Sequence, residues 1–148
     1  MALLENKKAF FDYEILEKFD AGIKLLGFEV KALKLKRGSL IGSHAIVRGG
    51  EAFVVGMQIM PYQPNNTPAD YDPARTRKLL LSKKEIMHLA EKDSQKGLTI
   101  VPLTIYTKNG LIKMSLGVAR GLKKYDKREK IKARDTKRDV ERELKMRG

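Results

Sequence analysis

Glu29, Val30 and Lys31 set an acid and a lysine two residues apart. Some metal-dependent nucleases use such a pair, the acid holding Mg²⁺, together with a second carboxylate that Asp12 or Asp20 could supply. A match of three residues is short, and an ordinary ion pair on a helix or strand is the simpler account of it. His44 and His88 stand far apart without acidic companions at ligand spacing, so they read as surface or packing residues and not as a metal site. Asp70 and Asp72 lie in a proline-rich stretch, where Asp72-Pro73 has the makings of a turn. No glycine-rich loop ends in Lys-Ser/Thr, and no serine sits in a nucleophile elbow. The sequence thus offers no catalytic residue, no metal and no cofactor, and the expectation is a protein that is not an enzyme.

The basic residues are more informative. Arg75-Thr76-Arg77-Lys78 leads into Leu79-Leu80-Leu81. Such a run can hold phosphates while its apolar end anchors it in a core. A strand edge blunted by charge would read the same. Tyr13, Tyr62, Tyr71 and Tyr125 offer rings for base stacking near basic groups.

The whole chain carries this bias. Its 148 residues hold 31 Lys and Arg against 18 Asp and Glu, a net charge of +13. An excess of that size attracts polyanions, nucleic acid above all. The absence of cysteine excludes disulfides and thiolate metal sites and points to a reducing compartment. No apolar run approaches signal-peptide or membrane-span length, so a soluble, cytoplasmic protein without membrane contact is expected. Residues 119–148 contain 13 basic and 6 acidic side chains, about half of the excess in the last fifth of the chain. They are too poor in large apolar residues to bury much surface alone. Yet Asp126–Lys130, Glu141–Lys145 and Glu143–Arg147 place an acid four residues before a base, which favours a helix. The division expected is a folded domain over residues 1–118 and a basic tail over 119–148, disordered when free and helical on a partner.

The folded part reads as mainly strand. Phe11, Tyr13 and Ile15 alternate with polar neighbours, as a half-buried strand would. Ile23, Leu26, Val30 and Leu33 recur at helical spacing, predicting a short helix over residues 27–36. Residues 44–48 and 52–56 flank Gly49-Gly50, a hairpin signal, and residues 57–60 extend that sheet up to Pro61. Residues 61–75 hold four prolines and form a long loop. Ser82 and Glu85 make a capping box with Leu81 and Ile86 as its staple, and Gly97 ends the helix. Residues 98–107 and 111–118 are strands joined at Lys108-Asn109-Gly110. Several short strands with one well-formed helix suggest a small, oligonucleotide-binding-like β-barrel with flanking helices.

Read in order, Asn6-Lys7-Lys8-Ala9, Asp12-Tyr13-Glu14-Ile15, Ala21-Gly22-Ile23, Gly27-Phe28-Glu29-Val30-Lys31, Asp72-Pro73 with Arg75, Arg77-Lys78-Leu79-Leu80-Leu81, Val101-Pro102-Leu103, Gly117-Val118-Ala119-Arg120-Gly121 and Asp126-Lys127-Arg128 resemble the SsrA-binding protein family, or small protein B. The resemblance implies an oligonucleotide-binding-type barrel that binds the tRNA-like domain of transfer-messenger RNA at its elbow. It implies entry of both into a stalled ribosome, the barrel replacing the missing anticodon arm and the tail forming a helix in the empty message channel. The partners implied are transfer-messenger RNA and the ribosome, at the small-subunit decoding centre and message channel, with the chain acting as a monomer. By position, RNA contacts are expected at Asn6, Lys7, Lys8, Asp20, Lys31, Arg75, Arg77, Lys78 and Leu80. Ribosome contacts are expected at Arg120, Gly121, Lys123, Lys124, Asp126, Lys127, Arg128 and Lys132. This chain departs from the family pattern at Asp20, where Glu is usual, and at Phe11, Lys34, His44 and Leu122.

Overall fold

The structure, a computed structural model, describes residues 2–122. Strand β1 (Ala2–Glu5) leads into helix α1 (Lys7–Asp12), then strand β2 (Tyr13–Ile23) and helix α2 (Gly27–Lys34). Strands β3 (Gly38–Ser39), β4 (His44–Arg48), β5 (Glu51–Val55), β6 (Gln58–Ile59) and β7 (Arg77–Leu80) follow. Helix α3 (Lys83–Asp93) and the long strands β8 (Leu98–Lys108) and β9 (Leu111–Gly121) complete the chain order. The main sheet runs β1-β8-β4-β5-β7-β2-β9, and β9 also pairs with β8. That pairing closes a ring of six strands, with β1 on the free stretch of β8 and every pairing antiparallel. Closure removes the exposed edges that an open sheet would present to other chains.

Two hairpins fix the register. Gly49 and Gly50 (φ 60° and 75°) turn β4 into β5, and Asn109 and Gly110 (φ 53° and 77°) turn β8 into β9. Each is a two-residue turn with both φ positive, which glycine and asparagine tolerate best. The ring is filled by aliphatic side chains such as Val54, Leu79, Ile100, Ile105, Met114 and Leu116. Among the described residues no aromatic ring is fully buried. The Ser82–Glu85 capping box forms in both directions at 3.2 and 3.1 Å, and Leu89 is the buried residue of α3.

Four sequence expectations change. Phe11 belongs to α1, not to a strand: the Asn6 side chain accepts from Ala9 N–H at 3.2 Å and starts a helix, whose Ala9 packs with Val101, Leu103 and Ala119. Residues 57–60 do not extend the hairpin sheet. Gly56 (φ 81°) turns the chain, and β6 pairs instead with β3 in a separate ribbon. Helix α3 stops at Asp93 with Ser94 as its cap, and Gly97 (φ 85°) serves the turn into β8. The boundary at 118/119 also moves. Ala119, Arg120 and Gly121 pair with β2 at Ile15, Glu14 and Tyr13, and Leu122 N–H donates to Asp12 O at 2.9 Å. Ala119 is fully buried, a fact of packing that charge composition does not register. Whether residues 123–148 form a disordered or helical tail lies outside the described residues.

Two glycines test this packing. A Cβ on Gly38 would meet the Gln58 carbonyl at 2.8 Å, whereas one on Gly27 meets nothing within 4 Å. Gly38→Ala should therefore lower unfolding stability by about 1–3 kcal/mol. Gly27→Ala should be neutral or stabilising by up to about 1 kcal/mol. Urea titrations of the two variants decide the matter; equal effects would contradict the stated packing.

Candidate nucleic-acid interface

Glu29 lies on the buried stripe of α2 with Ala32 and Leu33. Its carboxylate is fully enclosed. Leu26 N–H donates to it at 2.8 Å, Arg75 Nε at 3.1 Å and Arg77 Nε at 2.8 Å, and the Tyr71 hydroxyl stands 2.9 Å away. Burial alone would raise this carboxyl. The hydrogen bonds from Arg75, Leu26 and Arg77, with the Arg77 charge, outweigh burial and hold it down at about 2. Arg77 is itself fully buried and also donates to Met57 O at 2.8 Å and Pro73 O at 2.9 Å. The carboxylate thus joins α2, β7 and the end of the 61–75 loop. Both of its oxygens are occupied by donors, so it has no free position for Mg²⁺, and Glu29-Val30-Lys31 is not a nuclease site. Among the described residues no three of His, Asp and Glu gather as a metal site. His88 Nε2 lies 2.7 Å from Glu17 Oε2 and its ring packs against Phe19, a packing role.

The residues expected at the RNA separate into inward and outward sets. Arg77 points inward. So does Asn6, whose Nδ2 donates to Leu40 O at 3.2 Å and Pro102 O at 2.9 Å. Both are buried, and every polar atom they bury already has a protein partner. Arg75 is 30% exposed in its side chain while bound to Glu29, and it carries the second positive charge of a cluster with one carboxylate. Lys31 is exposed on α2, and Lys78 reaches Glu51 at 3.0 Å. Asp20 is exposed and accepts from the Tyr106 hydroxyl at 2.8 Å. Burial, then the bond to Asp20 and its charge, push that phenol up to about 12, so it remains a donor. Leu80 is 53% exposed and pairs with Gly22.

Strand β2 sets these groups at two poles. Tyr13 pairs with Gly121 at one end, and Gly22 pairs with Leu80 and Lys113 at the other. At about 3.3 Å per residue the poles are at most ~30 Å apart. A recess of about 430 Å³ at the far pole is lined by Gly22, Leu25, Val30, Leu80, Leu111 and Lys113. The near pole has one of about 370 Å³ with Lys8, Asp12, Tyr13, Ser43 and His44. Lys7 is exposed on the same helix as Lys8, and Arg120 holds Glu14 at 2.6 Å near the end of β9. Lys123, Lys124, Asp126, Lys127, Arg128 and Lys132 lie outside the described residues. Sequence reasoning missed the Tyr71–Glu29–Arg77 cluster. Its one signal was a glutamate a helical turn before Leu33, on a face otherwise apolar.

Replacing Glu29 by Gln leaves the buried guanidinium of Arg77 without its counter-charge and should cost about 3–5 kcal/mol of unfolding stability. The acid dependence has a definite sign. A carboxyl lowered from 4.5 to about 2 contributes stability that is present above pH 4.5 and lost as pH falls towards 2. Urea midpoints of the unsubstituted chain should fall over that window, and those of Glu29→Gln should fall less. Parallel acid losses would contradict this account of the cluster.

Comparison with known proteins places this geometry. The profile of the family described as "SmpB protein" matches residues 3–146. The SsrA-binding protein of Thermosynechococcus vestitus is 48% identical over 145 residues, covering 98% of this chain and 95% of that protein. That of Chlorobaculum tepidum is 50% identical over 139 residues, covering 93% and 88%. A chain solved in work described as "tmRNA-SmpB: a journey to the center of the bacterial ribosome" superposes with a TM-score of 0.69 at 48% identity, over 82% of this chain and 85% of that one. A profile match across both the barrel and the basic extension, with identity near one residue in two, establishes that the chain belongs to the SmpB family of SsrA-binding proteins.

Proposed function

We propose that this chain is the protein partner of transfer-messenger RNA in trans-translation. It binds the tRNA-like domain of that RNA and delivers it to ribosomes stalled without a usable stop codon, where the nascent chain is tagged for degradation. The extent of the family match carries this reading, because residues 3–146 include the barrel and the basic extension together. The chain acts by recognition, without a covalent step, as a monomer in the bacterial cytoplasm.

The six-strand ring is read as an oligonucleotide-binding-type barrel standing in for the anticodon arm that this RNA lacks. The pole with Asp20 and Leu80 takes the RNA, with Lys31, Arg75 and Lys78 as basic support. Structured RNA is read by shape, phosphates and 2′-hydroxyls, and an exposed leucine beside a carboxylate and lysines suits such a surface. Asn6 and Arg77 act from inside, by holding α1 and β7 in place. Lys7 and Lys8, expected at the RNA, lie at the opposite pole with Arg120 and Gly121 and are read with them as facing the ribosome. Residues 123–148 are read as a tail that stays unstructured until the ribosome offers an empty message channel. There it forms a helix, with Lys123, Lys124, Asp126, Lys127, Arg128 and Lys132 on the channel wall. The acid-before-base pairs at four-residue spacing support that conformation.

A chain ending at Leu122 separates the two roles and keeps β9 whole. It should bind the isolated tRNA-like domain within about threefold of the full chain and support no tagging on stalled ribosomes in a purified translation system. Equal loss of both activities would contradict the division.

A further inference from the structure

Across α2 from the Leu80 pole lies a recess of which these roles use only Lys31. It holds about 380 Å³ and is lined by Phe28 and Lys31 of α2 and by Tyr62, Gln63, Asn66 and Thr67 of the proline-rich loop. Val30 lines the Leu80 recess and Lys31, the next residue, lines this one, so α2 is the wall between them.

The recess is built from restrained parts. Arg37 Nη1 donates to Tyr62 O at 3.1 Å, and Pro64–Asn66 form a 3-10 turn. Thr67 Oγ1 donates to Gln63 O at 2.8 Å, and Asn66 Nδ2 donates to Gln63 Oε1 at 2.7 Å. Phe28 stands edge-on to Tyr71 at 4.8 Å, which ties the recess to the Glu29 cluster. Tyr62 packs partly against the core, and Lys31 Nζ lies 5.8 Å from its ring centre. Once these bonds are assigned, the Gln63 amide N–H₂ and the Asn66 carbonyl oxygen remain without a partner among the described residues.

We propose that this recess receives one unpaired nucleotide of the bound RNA, its base against Tyr62 and its phosphate on Lys31. An aromatic face beside a cation is the pairing by which proteins hold single-stranded nucleotides. A free amide donor and a free amide acceptor match the mixed polar edge of a base. The volume falls within the range of roughly 300–1,000 Å³ common to small-ligand sites. The net charge of +13 favours a phosphate-bearing occupant over a peptide or an apolar one. In the free protein Lys31 rests on the ring as a cation–π partner, and the arriving phosphate draws it off the face that the base then covers. The inference rests on the RNA-binding reading above and carries the RNA surface from the Leu80 pole over α2 to the loop.

The test titrates the full chain with the isolated tRNA-like domain at several salt concentrations, using Tyr62→Ala, Tyr62→Phe and Lys31→Gln. Tyr62→Ala should weaken binding about 5- to 150-fold with an unchanged salt slope, and Tyr62→Phe should stay within about twofold. Lys31→Gln should weaken binding and reduce the slope of log K on log salt by about one. Lys31 is exposed, so its variant keeps the fold and the result can be read even if Tyr62→Ala unfolds. Wild-type affinity and slope in Lys31→Gln would overturn the proposal, as would a loss in Tyr62→Phe equal to that in Tyr62→Ala. A recess made for a protein partner would leave all three variants binding naked RNA normally, and that also overturns it. Failure of the unsubstituted chain to bind this RNA would instead sink the functional reading, and the inference with it.

Discussion

One enclosed carboxylate organises the side of this protein formed by α2, β7 and the proline-rich loop. Glu29 gathers two arginines, a tyrosine and a backbone amide from three separate segments. A buried charge is tolerated only when paired and hydrogen-bonded. Here the pairing is also positional. It sets the wall formed by α2, the register of β7 that exposes Leu80, and the end of the proline-rich loop. The cluster holds two guanidinium groups for one carboxylate, so it adds positive potential at the surface where Arg75 emerges.

The barrel around it is closed by the longest pairing in the sheet, β8 with β9, and filled with Leu, Ile, Val and Met. Its aromatic rings are left at or near the surface, as at Tyr62, Tyr106 and Phe28. Rings in that position supply faces and hydroxyls to a partner, which a buried ring could not do. Long strands also carry distance. Because β2 spans the barrel, the pole with Leu80 and the pole with Tyr13 and Gly121 are held apart by rigid structure.

The elements legible in the sequence were those set by local chemistry. The two turns at Gly49-Gly50 and Asn109-Gly110 and the Ser82–Glu85 box depend on neighbours a few residues away, and they formed as read. The spacing of Ile23, Leu26, Val30 and Leu33 located α2. What failed depended on distant partners. Phe11, Tyr13 and Ile15 alternate like a strand, yet Asn6 caps a helix across Phe11 because its amide also reaches carbonyls 34 and 96 residues away. Arg77 sits in a run of surface-like basic residues, but the carboxylate that draws it inward is 48 residues earlier. Charge marked 119 as the start of a tail, whereas burial of Ala119 between strands keeps the chain folded to Gly121. Of the residues that the resemblance named, Asp20, Lys31 and Leu80 are exposed, while Asn6 and Arg77 turn inward.

The most direct measurement is residue-resolved hydrogen exchange on the full chain, alone, with transfer-messenger RNA, and with that RNA on a stalled ribosome. The account predicts slow exchange in α2 and β7 in all three states, since the Glu29 cluster is built before any partner arrives. It predicts fast exchange over residues 123–148 in the first two states and protection only on the ribosome. Protection of those residues already in the free chain, or fast exchange in α2 and β7 until RNA binds, would contradict it.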